Sequence, residues 1–261
     1  QILLEIQLEI YLQAKAHNKI LERNSLHFSS QTLTKEINLK GLSQYKFKKI
    51  AEESLRNALR LHEDSILLYN NESFPSAFQL SVLALEEFAK AKWIDHYYYS
   101  TITNTGFPKQ DDAEYEEYVK FEQSWLKLLY FHPKKQFAFI AREIFDYAPS
   151  LVSKIEEKKL EIQKQQAIYV GLERSKEGIN TSSRVSIPIK KIKLANAKQM
   201  ISLLNHEFIE VHDLSIKNDG YWGIWEMDGI INKNDYPILF AWLYKTSLKS
   251  RKWNKVHHAK I

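Results

Sequence analysis

Two carboxylates and a lysine occur within an otherwise apolar stretch, VLALEEFAKAKW at positions 82–93. A helix turns about 100° per residue, so Glu86 and Lys90 are predicted to pair on a narrow polar stripe. Glu87 is predicted to lie among leucine and isoleucine on the apolar face. A carboxylate there needs a cation or a hydrogen-bond donor from another helix, because an isolated buried charge is strongly destabilising. Glu87 is therefore either a structural tie between helices or a group that orients a basic side chain at a site.

A second group of residues that could take part in chemistry lies in the stretch KLLYFHPKKQ at positions 127–136. Pro133 predicts a break in the helical pattern, so a new helix is expected to begin there with His132 at its N-cap. Lys135 and Gln136 are then expected on the same side as His132. A histidine at a helix N-terminus beside lysines tends to be neutral, which suits a general base, and Lys135 suits an anionic phosphate. The alternative is that His132 is only a surface cap.

Several other kinds of site are excluded or not indicated. The chain has no cysteine, which excludes disulfides and thiolate metal sites and favours a cytoplasmic location. No histidine spacing indicates a metal site, and His206 and His212, six residues apart, do not share one face of a helix. There is no phosphate-binding loop, no glycine-rich dinucleotide motif and no H-E-x-x-H motif. No apolar run approaches the ~20 residues of a membrane span. We therefore expect no metal, no cofactor and no membrane association.

The C-terminal part of the chain is unusually basic and aromatic. Residues 241–261 contain no acidic residue, and the chain as a whole has a formal net charge of +5. Such a tail could bind RNA phosphates or could simply aid solubility. Tryptophans are concentrated in 222–253, where they either fill a core or form a partner surface. The candidate RNA-binding residues are Lys245, Lys249, Arg251, Lys252 and Lys255.

The elements that must position these groups are predicted to be mostly helices. Seven helices are expected from the hydrophobic periodicity, at 1–23, 44–70, 76–99, 113–131, 133–148, 151–166 and 192–214. The runs AIYVGLE and RVSIPIK predict a small hairpin or extended excursion. The fold class is mainly α, a helical bundle with a small β insert and a Trp-rich C-terminal extension. We divide the chain into an N-terminal helix and linker (1–43), a helical domain (44–214) and the extension (215–261).

Residues 57–94, with the motif Leu85, Glu86, Glu87 and Lys90, resemble the AbiV family of abortive-infection proteins. In that family a helix, a short turn and an alanine-rich helix ending in a LEE..K motif open the domain. The later FHPKKQ stretch is similar to its H..KQ element. KQQAIYVGLE followed by IPIKKIKLANAKQMISLL resembles its K..Y-V-D segment and closing helix. The resemblance spans roughly residues 45–212.

The resemblance implies a HEPN-superfamily bundle, a class that often acts as metal-independent endoribonucleases in bacterial immunity and toxin systems and commonly dimerises. It implies a dormant phage-defence protein whose partners are RNA, a phage-encoded activator and a second copy of itself. The signature of that superfamily is an arginine followed four to six residues later by a histidine. Lys127 stands at that spacing before His132. The pairs Arg56…His62 and Arg251…His257 also fit the spacing but lie outside the matching element.

Two functions follow from these residues. In the first, RNA is cleaved through its own 2′-OH, with His132 as general base or acid, Lys135 and Lys127 stabilising charge on the phosphate, and Glu87 orienting the catalytic group. In the second, the protein is a non-catalytic sensor or scaffold that arrests growth by sequestration, as the missing arginine and the aromatic, basic C-terminus favour. The implied site residues are Glu86, Glu87, Lys90, Lys127, His132, Lys135 and Gln136.

Overall fold

The prediction of a mainly α-helical bundle with a minor β insert is confirmed in the computed structural model. The structure describes residues 40–107, 109–111, 113–140, 149–172, 174–175 and 178–245. Its helices are α1 (Gln44–Asn70), α2 (Phe74–Ser100), α3 (Tyr115–Leu128), α4 (His132–Ile140), α5 (Pro149–Glu156), α6 (Lys159–Gln166), α7 (Pro188–Lys191), α8 (Leu194–Lys217) and α9 (Pro237–Lys245). The helix expected at 1–23 lies outside the described residues. None of the helices described is both long and apolar enough to cross a bilayer.

The centre of the bundle is the pair α1 and α2, which are joined by a three-residue turn and packed along their length. The side-chain oxygen of Ser43 caps α1 by accepting from the Lys46 amide at 3.4 Å. Pro75 lies in the first turn of α2, where a missing N–H is tolerated. Helix α8 packs against both helices and closes the core. The largest fully buried side chains include Phe47, Leu55, Leu59, Leu85, Phe88, Phe208 and Ile201.

The single charged helix expected at 151–166 is wrong, because the structure has two helices there, α5 and α6. The break is at Lys158, whose φ of 58° places it in the left-handed region. A side chain in that region interrupts the right-handed helix and turns the chain. No glycine or proline marks this point, so the periodicity of the sequence carries no sign of it. The turn sends α6 back towards α2, with which it is in contact.

The β insert is smaller than the two apolar runs suggested. Its two antiparallel strands are β1 (Arg174–Ser175) and β2 (Gly178–Ile179), which fall in the polar segment between the runs. The runs themselves contribute one isolated bridge, between Gly171 and Ser186. Several of their apolar residues remain exposed: Tyr169, Val170 and Val185 are 65%, 66% and 58% exposed.

The C-terminal extension packs on the bundle as far as it is described. The buried carboxylate of Asp95 in α2 accepts from the Ile224 amide at 2.7 Å and from the Gly223 amide at 3.2 Å. Burial raises the pKa of this carboxyl to about 6. Of the C-terminal tryptophans, Trp222 and Trp242 are buried and Trp225 is exposed. Most of the described aromatic residues of this region thus complete the core.

Candidate active site

Three polar side chains from two different helices converge on Glu86 of α2. His132 and Gln136 come from α4, and Lys164 comes from α6. The two oxygens of Glu86 are used differently: Oε2 lies 2.5 Å from His132 Nδ1, while Oε1 accepts from Gln136 Nε2 at 2.7 Å and from Lys164 Nζ at 2.8 Å. Glu86 has no exposed surface. The fold therefore compensates one buried carboxylate with three donors, two of them cationic or able to become so.

The predicted faces of the two glutamates are wrong. Glu86, expected on the polar stripe beside Lys90, is the buried one. Glu87, expected on the apolar face, has a side chain that is 15% exposed. Lys90 pairs with Glu87 at 2.7 Å, three residues away, and not with Glu86. Glu87, predicted to orient a basic group of the 132–136 stretch, pairs there with Lys135, whereas His132 of the same stretch pairs with Glu86.

The reason for the error is the composition of the packed faces of α2. Large apolar residues suggested one core face, but Leu80 and Leu83 are only partly buried at the edge of the core. The fully buried positions combine large side chains, among them Val82, Leu85 and Phe88, with small ones that let neighbouring helices approach closely. The partly exposed stripe of α2 runs through Leu83, Glu87 and Lys90, so Glu86 lies beside it in the core.

Glu87 anchors a second, more superficial set of charges. Its carboxylate accepts from Lys90 Nζ at 2.7 Å and from Lys135 Nζ at 3.1 Å. Partial burial raises the pKa of this carboxyl, but the two ammonium groups outweigh it and hold the pKa below its ordinary value. Lys90 also lies 5.8 Å from the centre of the Tyr130 ring. Because the Lys135 side chain is only 8% exposed and ion-paired, it is placed to hold α4 against α2.

Two residues of the network, Glu161 and Lys164, were missed by the sequence reasoning. Lys164 Nζ lies between two carboxylates, 2.8 Å from Glu86 and 2.7 Å from Glu161. The Gln136 amide bridges the same two carboxylates, at 2.7 and 2.9 Å. Partial burial raises the pKa of Glu161, but Lys164 outweighs this effect and the pKa is lowered. At i,i+3 spacing the pair resembles an ordinary helix-surface pair, although Lys164 opens the KQQAIYVGLE run that carried part of the resemblance.

His132 joins this buried network to solvent. It is the first residue of α4, not a cap before it, and the carbonyl of Phe131 accepts from the Lys134 and Lys135 amides. The side chain of His132 is 51% exposed, whereas its partner Glu86 is fully buried. A carboxylate that accepts from Nδ1–H leaves the Nε2 lone pair of a neutral imidazole available to a reactant. The arrangement is that of a carboxylate-oriented general base.

The other predicted residues are not brought into this network. Lys127 is exposed in the last turn of α3 and contacts none of the network residues in the described part of the chain. Arg56 is exposed, while His62 is fully buried and lies 3.0 Å from Asn205 Oδ1. Lys245 ends α9. The predicted RNA-binding residues Lys249, Arg251, Lys252 and Lys255 and the pair Arg251…His257 lie outside the described residues.

The fold and the site together define a helical-bundle domain with a carboxylate–imidazole pair at a solvent boundary. The HEPN_AbiV family model, described as AbiV, matches residues 46–209, well over half of the chain. The chain therefore belongs to the AbiV family of HEPN domains, and the resemblance drawn from the sequence motifs is confirmed. The matched region contains every residue of the network around Glu86. Comparisons with curated proteins and with solved structures give no match.

Proposed function

We propose that this chain is a phage-defence protein that acts as a metal-independent endoribonuclease once a phage component triggers it. Membership of the AbiV family supports an abortive-infection role. The observation that carries the nuclease proposal is the pairing of the buried Glu86 carboxylate with the half-exposed His132 imidazole. RNA supplies its own nucleophile, the 2′-OH, so a positioned base and charge stabilisation at the phosphate are the groups the protein must provide.

In the proposed reaction, Nε2 of His132 removes the proton of a ribose 2′-OH. The 2′-oxygen forms a bond to the adjacent phosphorus, and the bond from phosphorus to the 5′-oxygen of the next nucleotide breaks. The 5′-oxygen leaves with a proton from solvent, which gives a 2′,3′-cyclic phosphate and a 5′-hydroxyl. Glu86 holds the imidazole in the tautomer that can accept the proton. General base catalysis of this kind contributes typically about 10²–10⁴-fold.

The surface beside His132 suits an RNA strand. Lys127 and Lys134 are exposed on either side of it in sequence and can meet phosphates, whereas Lys135 is held by Glu87. Tyr130 and Phe131 precede His132 and are 66% and 57% exposed. Exposed rings offer stacking surfaces to unpaired bases, and these two residues directly precede the histidine in the chain. We expect Lys127 and Lys134 to stabilise charge on the phosphate and Lys135 to act through Glu87.

The test is RNA degradation by the purified protein in the presence of EDTA, with and without phage lysate. We expect cleavage products ending in a cyclic phosphate from the wild type and loss of cleavage in His132→Ala. His96→Ala is the control, because His96 is a partly buried imidazole of α2 away from Glu86. Phage protection is measured in parallel in cells. Cleavage and protection that persist in His132→Ala would show the catalytic assignment to be wrong.

A second candidate function is a non-catalytic sensor that binds a phage protein or RNA and arrests growth. The observation in its favour is Lys127, which stands where the HEPN signature has arginine and lies outside the network. The exposed Trp225, 72% accessible, is a candidate contact for such a partner. This function predicts that phage protection survives in His132→Ala but is lost in Trp225→Ala. The nuclease proposal predicts the reverse.

We also propose that the active form is a homodimer in the cytoplasm that binds RNA and a phage-encoded activator. Membership of the AbiV family supports a second copy as partner, because the resemblance to HEPN bundles implies dimerisation. Sedimentation velocity of the purified full chain over a range of concentrations tests the proposal. A single monomeric species at micromolar concentration, with and without phage lysate, would contradict it.

A further inference from the structure

Lys164 has an unusual position for a lysine, with a side chain that is only 6% exposed and an ammonium group between two carboxylates. Lysine is seldom buried unless its charge is used, because removing an ammonium group from water is costly. We infer that Lys164 is a positioning residue that keeps the Glu86–His132 pair aligned and offsets the negative charge beside the imidazole. The inference rests on the proposed function for its catalytic consequence, but its effect on His132 is measurable in the absence of any reaction.

Lys164 helps to fix the orientation of the Glu86 carboxylate. Both Gln136 and Lys164 donate to Oε1 of Glu86, and His132 approaches Oε2. A carboxylate with one oxygen held by two donors cannot rotate freely. Its second oxygen therefore faces the imidazole in a fixed direction. Because Glu86 is fully buried, water cannot replace Lys164 at Oε1 without opening the interface between α2 and α6.

Lys164 also sets the net charge beside the imidazole. Glu86, Glu161 and Lys164 form a contact group of two carboxylates and one ammonium, with one net negative charge next to the imidazole. The other carboxylate nearby, Glu87, is already neutralised by Lys90 and Lys135. Without Lys164 the group would carry two negative charges in a buried place. The nearest basic group would then take up a proton.

His132 is the group expected to take that proton. An imidazole has an ordinary pKa of about 6.5 and a glutamate about 4.3, so the proton is held by the ring before either carboxylate. An imidazole that is already protonated cannot act as a base. The charged groups on the elements around the pair are Glu87 and Lys90 on α2, Lys127 on α3, Lys134 and Lys135 on α4, and Glu161 and Lys164 on α6. Among these described groups, Lys164 is the one that contacts Glu86 directly.

The first experiment follows the imidazole by NMR as a function of pH. In Lys164→Met we expect the midpoint of the His132 ring titration to move up by about one pH unit or more relative to the wild type. Lys159→Met is the matched control, because Lys159 lies on the same helix but its side chain is 62% exposed. The control should leave the midpoint near that of the wild type. An unchanged midpoint in folded Lys164→Met would overturn the inference.

The second experiment uses charge-balanced and conservative variants. Lys164→Met combined with Glu161→Gln restores one net negative charge, so the His132 midpoint should return towards the wild-type value. This double variant also guards against misfolding of the single one, since it leaves a single carboxylate to be compensated. Lys164→Arg keeps the cation and should retain the wild-type midpoint. A double variant whose midpoint stays as high as that of Lys164→Met would contradict the charge argument.

The catalytic consequence is a change in kcat with little change in KM. For Lys164→Met we expect kcat for RNA cleavage to fall about 10–100-fold near pH 7. This range is typical for residues that orient a site residue through a hydrogen bond. The acidic limb of the rate–pH profile should move to higher pH. Loss of cleavage in His132→Ala with a wild-type profile in Lys164→Met would overturn the inference alone. A wild type without cleavage, but with the NMR shift in Lys164→Met, would overturn the proposed function alone.

Discussion

His62 and His132 follow a basic residue at similar spacing, yet the fold treats them in opposite ways. His62 is fully buried, and its Nε2 lies 3.0 Å from the amide oxygen of Asn205, which in turn donates to the Leu239 carbonyl at 3.0 Å. Burial lowers the pKa of His62 to about 4. His132 is half exposed and lies against a buried carboxylate. His62 links α1, α8 and α9, whereas His132 links a buried charge network to solvent.

The contrast shows that the residue type and its spacing do not decide the chemistry of a histidine. Burial beside a neutral amide lowers the pKa of His62 and so disfavours its charged form. His132 has a carboxylate partner on one nitrogen and a half-exposed ring, so its second nitrogen can be reached from solvent. The histidine signature of this superfamily is therefore informative only together with the burial of the ring and the charge of its partner.

The largest difference expected between the two histidines is in stability. His62→Ala should lower the free energy of unfolding by about 3–4 kcal/mol, because it leaves a core cavity and an unpaired Asn205 amide oxygen. His132→Ala should change it by no more than about 1 kcal/mol, since the ring is half exposed and Glu86 keeps Gln136 and Lys164. Urea denaturation monitored by circular dichroism measures both. Equal losses in the two variants would remove the distinction.

The second expected effect is a loss of stability in mild acid caused by His62. Its folded pKa of about 4 lies below the ordinary value of 6.5, so between these values the unfolded chain binds a proton that the folded chain does not. Stability from this group is present above pH 6.5 and is lost as the pH falls towards 4, by about 3 kcal/mol in total. His62→Gln keeps an N–H donor for Asn205 but does not titrate. Its unfolding free energy should depend less on pH in this range, and parallel curves for the two proteins would contradict the assignment.

A third expected effect sharpens the role of the carboxylate partner. In Glu86→Gln the amide N–H₂ can face Nδ1 of His132 and favour the tautomer with its proton on Nε2, which cannot act as a base. We expect RNA cleavage to fall by about 100-fold or more, as for other histidines held in the wrong tautomer. Glu87→Gln is the matched control, with one carboxylate lost from the neighbouring, partly exposed position. Comparable losses in both variants would mean that the partner of His132 is not specifically required.

The smallest expected effect concerns Lys127. Because it is exposed and makes no contact with the network among the described residues, Lys127→Ala should change unfolding free energy by less than about 0.5 kcal/mol. Its contribution to cleavage should be no more than a few-fold, since Lys134 is a second exposed lysine beside His132, and should shrink at high salt. Steady-state kinetics at two salt concentrations check this. A fall in kcat as large as that of His132→Ala would show that Lys127 occupies the place of the signature arginine.

The sequence predicts the fold class and most helix positions because periodicity and turn residues are local. The capping serine before α1 and Pro75 at the start of α2 illustrate such local signals. It also predicts that Glu86, Glu87, His132, Lys135 and Gln136 come together, through motifs whose order is typical of a family. The pairing of these residues is not predictable in the same way. It depends on how α2 is rotated in the bundle, which its contacts with α1, α4 and α8 determine.

Because of the bend at Lys158, the local sequence does not predict that Glu161 and Lys164 belong to the site. In a continuous helix through 151–166, the periodicity alone would determine the side of the helix on which Lys164 lies. Lys158, in the left-handed region, instead changes the direction of the chain before α6. Glu161 and Lys164 then look like a surface pair in the sequence but lie against Glu86 in the structure. The glutamate in α2 gives no indication of this partner, because the contact is between residues 78 positions apart.

The separation of Glu86 and Lys164 in sequence affects when the site can assemble during translation. Chains fold as they emerge from the ribosome, N-terminal part first, at roughly 5–20 residues per second. A nascent chain that already exposes Glu86 and His132 still lacks Lys164, and α8, which closes the core, follows later still. The network proposed to position the imidazole can therefore be complete only after α6 has been translated. If Lys164 supports catalysis as proposed, full activity is restricted to chains whose synthesis has passed that helix.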